Sequence, residues 1–363
     1  AAAITVNNTD GTCTANITNR TNKNIVINGA QLIAQRGTSS TSSGYQVLDR
    51  FPVFLNGADE NPTISQADIA SGTTPYTLGF RKSLKITNGN QTSGAGSNDY
   101  IWIQNKIEAQ DIANSGWNYK SSSSFITLSF WVKSSVAQTF KGYIETMDGT
   151  AYQYPFETGS LSANTWTKIT KSISGNSNLQ FDNNNAEGFK ISIIPMMGTD
   201  KTASSVTEDA WSAYSSSARI KDVTTTWYTT NDATFEITGV QLEVGSVATD
   251  FEHRSFGQEL QLCRRYFQII GPSVGEGQSS SNIQGTIQAI PFMRANPSMA
   301  IIDNSNNVGL AGTGSNSVTS IGTIYVEGES LGMGGWAEMG GSGFTANRQY
   351  HIYGGKFSFS AEL

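Results

Sequence analysis

The sequence predicts an all-β chain: a jelly-roll β-sandwich followed by a short helix and a smaller C-terminal β-sandwich module. Three observations carry that expectation. Apolar and polar residues alternate with a period of two through one short segment after another, the pattern of strands with one buried face. Turn residues such as Asn88-Gly89-Asn90 and Asp148-Gly149 separate those segments, and no helical periodicity intervenes. Only 14% of the 363 residues are charged, against about 25% in ordinary domains, and Ser, Thr, Asn and 37 glycines take up the difference.

Residues 1–23 read as an N-terminal arm. Ile4 and Val6 alternate briefly, but the remaining Asn, Thr and Gly offer little to bury. Such an arm is either disordered or ordered only against a neighbour. The chain opens on Ala1 without a leader pattern, as a processed chain or a piece of a longer one does. Asn7, Asn16, Asn19 and Asn90 begin glycosylation sequons, which chance supplies in so Asn- and Thr-rich a sequence.

The jelly roll is placed at 24–250. A strand and turn are predicted over 24–29, then strands at 83–87, 100–105, 125–133, 140–147, 165–172, 188–195 and 234–244. Their alternation sorts two faces: Ile126, Leu128, Phe130 and Val132 oppose Thr127, Ser129, Trp131 and Lys133. By the same rule Tyr100 and Trp102 oppose Ile101 and Ile103, and Tyr143 opposes Ile144. Tyr100, Trp102, Trp131 and Tyr143 are therefore expected to share one outer sheet face. In the last strand the phase changes at Gly239, with Phe235 and Ile237 before it and Val240, Leu242 and Val244 after it, the mark of a β-bulge.

A connector helix is predicted within 251–268. Ser255-Phe256-Gly257-Gln258 fits a capping box, and Phe256, Leu260, Cys263 and Phe267 recur along one helical face. Cys263 on that face reads as a buried free thiol. It lies far from Cys13, so neither a disulfide framework nor a metal-knuckle spacing is present. Residues 269–363 form the C-terminal β module, with strands expected at 283–290, 299–302, 321–326 and 355–361. Its Gly and Ser content implies a thin core that gains from neighbours.

The net charge of −6 supplies no electrostatic footprint for nucleic acid. No apolar run approaches the ~20 residues that span a bilayer, so no membrane insertion is expected.

Several motifs, in order along the chain, resemble a known module. They are Asn-Ile-Val-Ile-Asn-Gly at 24–29, Gln35-Arg36-Gly37, Phe130-Trp131-Val132-Lys133-Ser134, Thr165-Trp166-Thr167-Lys168 and Gly239-Val240-Gln241-Leu242-Glu243-Val244-Gly245. Asp250-Phe251-Glu252-His253-Arg254-Ser255, Arg264-Arg265-Tyr266-Phe267 and Ser360-Ala361-Glu362-Leu363 continue the series. Together they resemble tail-fibre-like structural proteins of tailed bacteriophages, marine and cyanobacterial ones included, whose sandwich is similar to carbohydrate-binding-module jelly rolls. The match is densest from Asn24 to Phe267. It implies a virion component exposed as fibre, spike or capsid decoration, a homotrimer with other virion proteins as partners, and a role in host attachment. In that trimer the helix bearing Phe256, Leu260, Cys263 and Phe267 would pack near the threefold axis. Fold likeness alone does not establish sugar binding.

Sugar recognition by a sandwich uses an aromatic ring against the apolar face of a pyranose, flanked by amides and charges that fix the hydroxyls. Tyr100, Trp102, Trp131 and Tyr143, with Lys133, Lys141 and Glu145, have that chemistry. The loop residues Trp117, Tyr119, Trp211, Tyr214, Trp227 and Tyr228 form a second candidate surface for a host-surface glycan. The competing reading is that these rings pack under loops, the arm or another subunit. Asp182, Asn184 and Glu187 gather oxygen ligands suited to calcium, although the spacing departs from an EF-hand and a solvated turn is the plainer reading. No other cofactor is expected. His253 and His351 read as structural, no nucleophile–base pair or phosphate loop stands out, and a glycan-cleaving enzyme is the minor alternative to a non-enzymatic protein.

Overall fold

Alternating apolar residues bury themselves here by placing two sheets face to face. The computed structural model describes residues 4–6, 13–15, 22–270, 274–287, 292–303, 307–310, 313–326, 335–353 and 356–363. Most of the arm falls outside the described residues. Of the arm, β1 (Ile4–Val6) and β2 (Cys13–Ala15) pair antiparallel.

The sandwich uses β3 (Ser39–Ser40), β4 (Val53–Asn56), β5 (Thr63–Asp68), α1 (Thr74–Thr77), β6 (Lys82–Thr87), β7 (Tyr100–Glu108), α2 (Ala109–Ala113) and β8 (Phe125–Ser134). It continues through β9 (Thr139–Thr146), β10 (Tyr152–Ser160), β11 (Thr167–Ser174), β12 (Glu187–Met197), β13 (Ser212–Ala213) and β14 (Thr234–Val244). Sheet I has the order β13-β10-β9-β12-β7-β4, and sheet II the order β11-β8-β14-β6-β5-β3. The chain crosses between them from β7 to β8 to β9 and again from β10 to β11 to β12, a jelly-roll path.

Between the sheets lie Ile101, Ile103, Ile144 and Ile191 from sheet I and Leu84, Ile126, Leu128, Phe130 and Ile237 from sheet II. Each such burial contributes about 1.5–3 kcal/mol. The predicted bulge is present: β14 slips against β8 between Thr238 and Gln241, and Gly239 takes φ +63°. Both Ile237 before it and Leu242 after it thereby reach the core.

No strand forms over 24–29, contrary to the sequence expectation. Asn28 adopts φ +61°, which breaks an extended run. Its side-chain amide donates to the carbonyls of Ile33 and Asp49, both at 2.8 Å, and Arg254 donates to the carbonyls of Val26 and Asn24. Backbone bonds to β14 remain only at its ends, from the Ile25 amide to the Leu242 carbonyl and from the Val240 amide to the Gly29 carbonyl, both at 2.9 Å, and side chains serve the turn between them.

The helix α3 (Phe256–Arg264) starts with the predicted capping box. It stops before Phe267, which opens a strand instead. The C-terminal module contains β15 (Phe267–Ile270), β16 (Val274–Gly277), β17 (Asn282–Ile287), β18 (Ser298–Asp303), β19 (Asn307–Leu310), β20 (Thr313–Val326), β21 (Gly335–Gly341), β22 (Gln349–Tyr353) and β23 (Lys356–Ser360). β15, β23 and β18 form one sheet, and the other six strands close into a barrel. Closure leaves that barrel without an open edge.

Buried charge ties the module to the sandwich. Arg50 lies 3.5 Å over the Tyr266 ring and pairs with Glu362. Arg36 lies 3.5 Å over Phe267 and pairs with Asp49 and Glu362. Glu108, fully buried, accepts from Arg265 at 2.9 Å and from the Tyr266 hydroxyl at 2.7 Å. The motifs at 35–37, 264–267 and 360–363 therefore meet at one junction.

Candidate functional site

On sheet II the cross-strand register is Lys168, Trp131, Thr238 from β11 through β8 to β14. Since Phe130 and Val132 point inward, Trp131 stands on the outer face. One residue beyond Thr238, the bulge glycine makes room for it. A Cβ on Gly239 would lie 2.7 Å from Phe80 Cζ and 3.2 Å from Trp131 Cδ1, so a side chain there would displace both rings.

The segment after β14 then folds back over this face. Thr249 donates its amide and hydroxyl to the two Glu243 oxygens at 2.8 and 2.6 Å, and the Glu252 amide donates to Gln241 at 2.8 Å. Those anchors lay Phe251 and His253 against Phe80, with ring centroids 4.8 to 5.0 Å apart. His253 Nε2 sits 2.8 Å from the Leu78 carbonyl. A carbonyl only accepts, which assigns a proton to Nε2, and in the neutral imidazole Nδ1 is then an acceptor.

These residues enclose a cleft of about 240 Å³. Half-buried Trp131 lines it, Phe80 and Phe251 wall it, and Ser129, Lys168, Asp250 and His253 supply polar groups. Lys168 and Asp250 are exposed. Among the described residues neither side chain makes an ion pair, and no ring stacks on the Trp131 indole. An apolar plate ringed by unpaired donors and acceptors can hold a small polyhydroxylated ring.

Trp131 does not share a face with Tyr100, Trp102 and Tyr143, because β8 belongs to sheet II whereas β7 and β9 belong to sheet I. The outer face of sheet I is roofed. Tyr143 is 1% exposed among Ile194, Met197 and Ile220, with Trp102 and Tyr214 packed alongside, and burial drives its phenol pKa up. Tyr100 stacks on Trp102 at 4.9 Å, Arg219 lies 4.8 Å from the Trp102 ring and Lys201 5.3 Å from the Tyr100 ring. Their ring faces are already covered from within the chain. The charges named with them are also committed: Lys133 to Glu236, Lys141 to Glu157 and Glu208, Glu145 to Lys190.

The second candidate surface is corrected likewise. Trp117, Trp227 and Tyr228 belong to the sandwich core. Their polar atoms are satisfied there: Trp117 donates to Ser124 O, Trp227 to Thr234 O and Tyr228 to Asp99. Tyr119 meets Phe181 edge-on at 4.9 Å. Trp211 packs 5.3 Å from Tyr154 and donates to Ser174 O at 2.8 Å. Large rings in these loops plug the ends of the sandwich, since burying them gains more than exposing them.

The calcium candidates do not converge. Glu187 pairs with Lys106 and Lys190, Asp182 accepts from Gln180, and Asn184 accepts from the Ala186 amide. Among the described residues no group of three or more His, Cys, Asp or Glu is placed to hold a metal ion. On α3, Cys263 is buried and free, Leu260 is half-buried and Phe256 is 61% exposed. Glu259 shares the buried side, accepting the Asn28 amide and pairing with Arg254.

Phe80 and Gly79 are not singled out by sequence, and Phe251 and His253 enter there only as members of the motif at 250–255, without a site role. One signal does point there. The motifs at 130–134, 165–168, 239–245 and 250–255 all border this cleft.

No family model and no curated protein matches the chain. Solved structures resemble it loosely. The enzymatically active domain of tailspike protein 4 of bacteriophage CBA120 is 12% identical, with a TM-score of 0.33 over 61% of this chain and 21% of that one. The N-terminal cellulose-binding domain of Cellulomonas fimi β-1,4-glucanase C is 9% identical, with a TM-score of 0.29 over 60% and 99%. A family 11 carbohydrate-binding module of Clostridium thermocellum, in complex with a mixed-linked tetrasaccharide, is 9% identical, with a TM-score of 0.27 over 58% and 98%. This chain thus spans about a fifth of the tailspike domain. Likeness at these scores carries nothing about ligand or activity.

Proposed function

We propose that this chain is a non-enzymatic, glycan-binding component of a tailed-phage virion surface, attaching the particle to its host through the Trp131 cleft. The observation that carries this is the Trp131 indole itself: among the described residues no ring stacks on it, aromatic walls flank it, Lys168, Asp250 and His253 stand at its rim, and buried Ser129 lies beside it. The C–H face of a pyranose packs on such a ring while its hydroxyls exchange hydrogen bonds with the rim. Glycoside cleavage normally needs two carboxyls about 5–9.5 Å apart, and Asp250 is the one acid lining the cleft. The virion setting rests on the motif resemblance. Exposed Phe256 supports contact between copies in the expected homotrimer, which would raise avidity for a weak ligand.

Glycan-array and host-polysaccharide binding by the purified chain tests this. Binding should fall by about tenfold or more in Trp131→Ala and be retained in Trp102→Ala. Undiminished binding by Trp131→Ala, or turnover of the polysaccharide, would sink the proposal.

A further inference from the structure

The cleft is small, has one open ring and carries balanced charge. Resting on the glycan-binding reading, we infer that it takes a single terminal, uncharged pyranose, a chain end or side branch, and does not grip a run of sugars along a polysaccharide.

Size is the first argument. A volume of about 240 Å³ lies below the ~300–1,000 Å³ of sites that enclose drug-sized ligands. Continuity is the second. A run of sugars needs successive ring platforms, and the neighbouring rings on this face are closed to it. Lys133 lies 5.1 Å from the Trp166 ring and is held there by Glu236 at 2.8 Å. Arg81 lies 4.0 Å from the Tyr76 ring. In a third direction the Phe80, Phe251 and His253 rings stand as a wall. Charge is the last argument. Lys168 and Asp250 bring to the cleft one charge of each sign, neither in an ion pair among the described residues. A uronate or an amino sugar would gain from one and be repelled by the other. Hydroxyl groups, which both donate and accept, satisfy the two together and also His253 Nδ1.

The test is a titration of the full chain, followed by tryptophan fluorescence and the Trp131 indole NMR signal. The probes are glucose, galactose, mannose, rhamnose, fucose and N-acetylglucosamine, their linear tetrasaccharides, and glucuronate. At least one neutral monosaccharide should bind, with its tetrasaccharide within about threefold in Kd. Trp131→Ala should abolish both, and Trp166→Ala should leave their ratio unchanged. A gain of about tenfold or more from one ring to four, or preference for glucuronate, with Trp131→Ala still abolishing binding, would overturn this inference alone. Absence of binding at every length would remove the glycan-binding reading with it.

Discussion

On the outer face of sheet I, Tyr100, Trp102 and Tyr143 lie under the chain that runs from β12 to β14, and their rings meet Ile220, Tyr214 and Arg219. On the outer face of sheet II, Trp131 meets a shorter return, 245–255, which reaches Phe80 with Phe251 and His253 and leaves the indole beside a cleft. Both faces start as aromatic and polar residues alternating with core residues. What separates them is the length of chain available to fold across. A long excursion makes a second core layer, and a short one makes a rim.

The largest expected effect breaks the roofed face. Tyr143→Ala removes a ring that is 1% exposed, and should cost about 3–5 kcal/mol of stability with sugar affinity unchanged at temperatures where the variant is folded. Denaturant melts and titrations read the two separately; an equal loss of affinity would contradict the division between faces.

A second experiment moves stability without touching either face. Burial pushes the Asp49 carboxyl up from 3.8 to about 6, opposed by hydrogen bonds from Gln35 and the charge of Arg36. Between those pH values the native chain keeps a proton that the unfolded chain has released. Stability from this group is therefore full below about 4 and lost as pH rises through about 6, by about 3 kcal/mol in all. The stability of wild type minus that of Asp49→Asn should decline across that window and then level off. A difference that stays flat with pH would remove the assigned titration.

Gly239→Ala comes next. With φ at +63° and Phe80 Cζ 2.7 Å from the new methyl, it should cost about 1–3 kcal/mol and weaken sugar binding, because Phe80 and Trp131 must both shift. Intact affinity would show that the cleft does not depend on the bulge. The smallest effect belongs to Lys168→Ala, an exposed rim residue. It should change affinity by less than about 1 kcal/mol and leave thermal melts in place.

How much of this was legible in the sequence follows from what alternation can encode. It gives the inward and outward sides of β7, β8, β9 and β14, and it gives the bulge, because these depend on neighbours along one strand. It does not give the sheet to which a strand belongs, which is why Trp131 was grouped with Tyr143. Nor does it separate an outward ring left open from one roofed by a loop, since Trp117 and Trp227 sit in stretches as polar as any surface loop. β4, β5 and β10 escaped the strand pattern. β4 has only four residues, β5 (TISQAD) carries a single large apolar residue, Ile64, and in β10 Pro155 and Gly159 interrupt the alternation of Tyr154 and Phe156. Phe267 was placed on the helix because its spacing from Cys263 is helical; its backbone instead pairs with Ser360, 93 positions later, a partner no local pattern announces.

The junction of Arg36, Arg50 and Glu362 has a kinetic consequence. Arg50 and its partner stand 312 positions apart, so their ion pair closes a very long loop, and such contacts form late because their entropy is recovered only once the intervening chain is ordered. During synthesis the sandwich can condense while both arginines are still in water. Their desolvation is deferred to one step, the arrival of residue 362, and until then the face that will receive the C-terminal module stays charged, wet and resistant to sticking to other nascent chains.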